Sequence, residues 1–189
     1  IYCHQTGYAA TIKTISADLF ANHADEDLAD TTLAGLYISV LGGVAWMILT
    51  RADLGVYVQA LQRRASNPRI ADCKKLNLIV RYSKRHKVGI WYEKLAGPVR
   101  LVCWSDAAFK AIPEEGSGLA LRGCCVLLTT DQPGKPTSPD GRCQLLEYLC
   151  KRQRRVVRST FSAELNALID ALEIAILIQM AFHQIEHGC

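Results

Sequence analysis

The chain lacks any C-x-x-C pair, although it carries eight cysteines in 189 residues. Cys124 and Cys125 are adjacent inside an apolar run and the others are scattered, which argues against a zinc-binding framework and against a disulfide scaffold. The expectation is reduced, mostly buried thiols in a reducing, intracellular compartment. A secretory leader is also missing, since "IYCHQTGYAATIKTISADLF" has no charged segment followed by an apolar block. No methionine opens the chain, so it reads as a piece of a longer polypeptide or a processed one. Strong charge of one sign is absent as well. A net charge of +4 permits nucleic-acid contact without demanding it, so the local clustering of charge matters more than the sum.

What the chain does have is apolar material. Half of its residues are hydrophobic, enough for a packed core in one domain or in one and part of another. Thr31 to Thr50, "TTLAGLYISVLGGVAWMILT", carries no charge over about the length of a bilayer span. Its glycines, threonines and serine moderate it, and Asp30 and Arg51 bracket it closely. A buried helix capped by Asp30 or Thr31 is the preferred reading, and a membrane span the alternative.

The periodicity changes along the chain. Residues 1–30 read as a polar lead or linker, ending in the acidic run "NHADEDLAD". Residues 31–95 read as a helical connection region. There Leu54, Val58 and Leu61 share one helix face, Pro68 breaks the pattern, and a further helix runs from Ile70 to about His86. Residues 96–189 read as strands followed by one long helix. "VRLVCWSDAAF", "GLALRGCCVLLTTD" and "CQLLEYLCKRQRRVV" are the strands, and the helix runs from Phe161 to about His187, capped by Ser159 or Thr160. On that helix Phe161, Leu165, Leu168, Leu172 and Ile176 form a stripe expected to pack on the sheet. Ile174, Leu177, Ile178 and Met180 add apolar surface elsewhere, which predicts a protein partner on Ile174, Ile178 and Met180. Trp91, Tyr92 and Trp104 read as core rather than as base-stacking platforms. The fold class that results is α+β, with a helical N-terminal half and a partial mixed sheet covered by the last helix.

Three features bear on chemistry. Asp106 closes an apolar strand, and a carboxylate there can join a second one on a helix laid across the same sheet to hold a hard cation such as Mg²⁺. By itself an Asp ending a strand is more often a turn residue. Glu164 opens the last helix directly behind Lys151, Arg152, Arg154, Arg155 and Arg158, five basic residues that can pair with backbone phosphates or simply form a solvated face. His183 and His187, spaced i,i+4 and followed by Cys189, make a possible half-site for zinc with no obvious second pair. Glu114 and Glu115 follow Asp106 in a loop and read as solvated.

Taken in order, "CWSDAAF", the strand "GLALRGCCVLLTT" and "KRQRRVVRSTFSAELNAL" resemble the ribonuclease H domain of copia-type retrotransposon polyproteins. The upstream part looks like that family's connection from reverse transcriptase to ribonuclease H. Gly43, Thr50, Arg51, Asp53, Pro68, Arg81 and Tyr82 fit its pattern, and Ala52 stands where the family has proline. The resemblance runs from roughly Thr32 to Ile185. It implies a partial ribonuclease H-like fold, Mg²⁺ as cofactor, Asp106 and Glu164 as metal-binding catalytic carboxylates, and cleavage of RNA in RNA–DNA hybrids. The family completes its site with two further aspartates beyond the glutamate helix, which this sequence does not contain. Asp170 and Glu173 lie about 240° and about 180° round the helix from Glu164 and cannot replace them from its face. The site is therefore half a site, and the chain alone is expected to be inactive. The competing expectation is a non-catalytic structural subunit of a larger assembly, membrane-associated if residues 31–50 span a bilayer.

Overall fold

The computed structural model describes residues 1–109, 120–130, 142–153 and 156–188, and the chain forms two compact units, Ile1–Trp91 and Tyr92–Cys189. Glu114, Glu115, Arg154, Arg155 and Cys189 lie outside the described residues. The class is α+β, and the second unit pairs a three-stranded sheet with one long helix.

The first unit is built from a short strand β1 (Tyr2–Cys3) and helices α1 (Thr6–Thr11), α2 (Thr31–Met47), α3 (Gly55–Gln62) and α4 (Ile70–Arg85). Strand β2 (Ile90–Trp91) closes it. The Asp30 side chain accepts from the Leu33 amide at 2.7 Å and so caps α2, as its short side chain allows. Leu33, Tyr37, Leu41, Val44 and Met47 recur at helical spacing and are all buried, so the uncharged stretch is a core helix of this unit. Leu54, Val58 and Leu61 are buried together, as their spacing predicts.

The lead of residues 1–30 departs from the expected linker. Ala9, Ile12, Ile15 and Phe20 are buried in the same core as α2 and α4. The buried Asn77 amide on α4 binds both backbone groups of Ile15, accepting from its N–H and donating to its carbonyl, each at 2.8 Å. An apolar residue every three to five positions is enough to bury a segment whose other residues are polar. Arg51 is also buried, with its fork on both carboxylate oxygens of Asp53 at 2.8 and 2.7 Å and its remaining nitrogen donating to the Ser83 and His86 carbonyls. At the closure Tyr2 pairs with Trp91 and Cys3 with Ile90, and the Tyr2 and Trp91 rings stack at 4.3 Å. A Cβ at Gly89 would stand 2.5 Å from the Cys3 carbonyl oxygen, so glycine is required there.

In the second unit β3 (Val99–Ala108), β4 (Leu121–Thr130) and β5 (Cys143–Arg152) form a sheet of order β3-β4-β5, antiparallel throughout rather than mixed. Sequential strands pair with their neighbours, each returning antiparallel beside the one before it. Helix α5 (Thr160–His187) follows, with the Ser159 hydroxyl accepting from the Ser162 amide at 3.1 Å and Gly188 in the left-handed region closing it. It packs on β3 and β4, but through a face other than the expected one. Ala163, Ala167 and Ala171 are the buried residues of α5, whereas Phe161, Leu165, Leu168, Leu172 and Ile176 are between 45% and 76% exposed. At 100° per residue Leu172 stands about 180° from Ala163, and Ile176 about 180° from Ala167. An i,i+4 row of methyl groups lets the helix axis approach the sheet closely, which a row of leucines would prevent.

Candidate functional site

Strand alternation decides where Asp106 points. Ala107 is buried in one cluster with Ala163 and Ala167 of α5, and the Cys103 thiol donates to the Ala171 carbonyl at 3.4 Å. Residues 103 and 107 therefore face the helix, and Asp106, between them in register, projects from the opposite face of the sheet. It is exposed and stands opposite Gly123. Glu164 is half-buried in the opening turns of α5, next to the alanine row. The resemblance implies that Glu164 aims at Asp106 across the sheet, yet the helix occupies the Ala107 side and the two carboxylates project from different sides of β3.

Neither do other donors gather. No group of three or more His, Cys, Asp or Glu side chains placed to hold a metal occurs among the described residues. Asp170 is engaged by Arg122 of β4 in an ion pair beneath α5. The His183 and His187 rings lie 4.4 Å apart near the end of α5, with no third ligand beside them among the described residues. The described residues do not fit a Mg²⁺ centre.

The basic run is divided by the end of β5. Lys151 pairs with Arg122, on the helix side, and Arg152 pairs with Leu121, on the other, as alternation along a strand requires. The Gln153 side chain turns inward and donates to the Ala163 carbonyl at 2.7 Å, while its backbone N–H donates to the Ala120 carbonyl at 2.8 Å. That residue ties the end of the sheet to the start of α5, a role that no sequence signal reveals. Lys151 and Arg158 remain exposed on the approach to the helix.

The described thiols of the second unit are half-buried or buried apart from the exposed Cys143, and no disulfide joins the described cysteines. Burial pushes the Cys103, Cys124, Cys125 and Cys150 thiols up from their ordinary values, which keeps them protonated and poor as ligands or nucleophiles. Trp91 and Trp104 are largely exposed instead of core. The Tyr92 hydroxyl donates to the Leu145 carbonyl at 2.9 Å.

No protein-family model, curated protein or solved structure matches the chain.

Proposed function

We propose that the second unit is a ribonuclease H-like module that binds nucleic acid through its phosphate backbone. Within that class the reading is a segment of a copia-type retrotransposon polyprotein, whose ligand is an RNA–DNA hybrid and whose parent enzyme cleaves the RNA strand. One observation carries it: the motif order along the chain coincides with an element order of three antiparallel strands, a basic approach and a helix opened by Glu164. Lys151 and Arg158 bring positive charge to the opening of that helix, where they pair with phosphates and position a strand without reading its sequence. Asp106 and Glu164 do not converge, so no hydrolytic step is assigned to the pair, and the contribution of this chain is binding.

Fluorescence anisotropy with a labelled RNA–DNA hybrid tests this. Binding should weaken steeply with salt, and Lys151→Glu with Arg158→Glu should reduce the log–log salt slope by about 2, close to one unit for each phosphate left unpaired. An unchanged slope, or no binding at low salt, refutes the module's role. The catalytic part of the resemblance is tested separately in the native polypeptide, where both Asp106→Asn and Glu164→Gln must abolish hybrid cleavage.

A second reading, a non-catalytic structural subunit, is favoured by the exposed apolar stripe of α5. It predicts no hybrid binding at any salt concentration and an assembly that Asp106→Asn leaves unaltered.

A further inference from the structure

We infer that the groove between α3 and α4 binds a small apolar carboxylate, with the Lys75 ammonium holding its head group. The groove has a volume of about 540 Å³, within the range of sites that enclose small ligands. Leu54, Tyr57 and Leu61 line one side, and Leu78, Ile79 and Tyr82 the other. Lys75, Leu78, Ile79 and Tyr82 recur at i, i+3, i+4 and i+7, so α4 turns one continuous face to the groove. From Lys75 to Tyr82 that face runs about 10 Å. Leu54 and Leu61 are buried and form the floor, while Tyr57, Leu78 and Tyr82 are roughly half exposed and form the rim. That rim presents on the order of 300 Å², well short of the ~800 Å² per partner of a standard protein interface but enough to clasp one small molecule.

The charges choose the sign of the ligand and its direction. Asp53 belongs to the Tyr82 end, because Arg51 grips both of its carboxylate oxygens and lies over the Tyr82 ring, 5.7 Å from its centroid. That carboxylate is already compensated and offers a ligand no free charge. The Tyr82 ring also rests against His86 at 4.5 Å, so this wall is in place before anything binds, which spares ordering entropy. At the other end Lys75 has no carboxylate beside it among the described residues, whereas its neighbour Lys74 is paired with Asp25 at 2.6 Å. Among the described residues lining the groove, the one uncompensated charge is therefore positive. A long, flexible stem lets the Lys75 ammonium meet a carboxylate at the mouth while the apolar tail lies along Leu78 toward Tyr82. A cationic amphiphile finds no partner in this groove, and a neutral one leaves Lys75 unused.

The test is equilibrium dialysis of the full 189-residue chain against radiolabelled decanoate, kept below the concentration at which it forms micelles. A dissociation constant of about 0.1 mM is expected for a ligand of this size. Octanoate should bind about tenfold more weakly for the two methylenes it lacks. Lys75→Glu should weaken decanoate by about tenfold and leave decanol, which carries no charge, within about twofold of the wild type. Tyr57→Asp should weaken both. Lys75 and Tyr57 are exposed, so both variants should keep the circular dichroism of the wild-type chain. Failure to bind decanoate overturns the inference, as does binding that is indifferent to chain length or to Lys75→Glu. Binding that Tyr57→Asp leaves unaltered overturns it too, because the acid would then sit on another apolar surface such as the exposed stripe of α5.

Discussion

Ala167 and Leu168 are neighbours in sequence and opposites in the structure, and exchanging their sizes tests the placement of α5 directly. Ala167 is buried in a cluster with Ala107, Ala120 and Val157, so Ala167→Leu forces an isobutyl group into a space already filled. Overpacking of that kind costs about 1–3 kcal/mol, and a rigid sheet behind the site favours the upper half, near 2 kcal/mol. Leu168 is roughly half exposed, so Leu168→Ala forfeits at most about half of the ~1.5–3 kcal/mol gained by full burial, or about 1 kcal/mol. Amide hydrogen exchange of Cys124 and Val126 in β4 reports the second unit alone. Protection there should fall by about 30-fold in Ala167→Leu and by no more than about fivefold in Leu168→Ala, at about 1.4 kcal/mol per tenfold. If Leu168→Ala costs more than Ala167→Leu, α5 is turned about its axis by about 100° and the alanine contact is refuted.

Two further outcomes follow from the first unit. Arg51→Met strips two backbone carbonyls of a donor and leaves Asp53 without its partner. It should lower stability by about 3 kcal/mol or more, with Arg51→Lys intermediate because an ammonium cannot reproduce the fork, as read from urea midpoints. Alkali should destabilise the fold in a defined window. Burial, with the neighbouring Asp72 carboxylate adding to it, pushes the Cys73 thiol from 9.0 up to about 11, so the unfolded chain ionises first and stability falls as pH rises from about 9 to about 11. Cys73→Ala should flatten that part of the profile while leaving the slope that Tyr37, shifted in the same direction, contributes.

The elements are largely legible in the sequence because their signals are local. Asp30 and Ser159 announce α2 and α5 by capping chemistry, and Val58 and Leu61, with Leu54 just before them, define the inner face of α3 without reference to anything distant. The contacts of α5 are not legible, for a specific reason. A helix apolar on several faces offers no contrast for periodicity to use, and the deciding property is the small volume of Ala163, Ala167 and Ala171, not their hydrophobicity. The side of the sheet taken by Asp106 is hidden likewise. Alternation separates Asp106 from Ala107, but only the landing place of α5 tells which of the two faces it. The lead looks like a linker because its four core residues are diluted among polar ones, and the Asn77 clip that fixes it comes from a residue far along the chain. The pairing of Arg122 with Asp170 needs the register of β4, which sequence periodicity leaves open.

The Tyr2–Trp91 ladder gives the first unit a property that its helices alone would not. Tyr2 and Trp91, near its two ends, are ladder partners, so the path of the backbone through this unit is nearly a closed ring. Closing a ring of that length costs roughly 4 kcal/mol of chain entropy beyond the fixed term, a cost that four paired residues meet only after α2, α3 and α4 have brought the ends together. A ring can be reopened elsewhere: joining residues 2 and 91 by a short linker and cutting in the exposed acidic stretch before Asp30 should give a permuted unit with the same core.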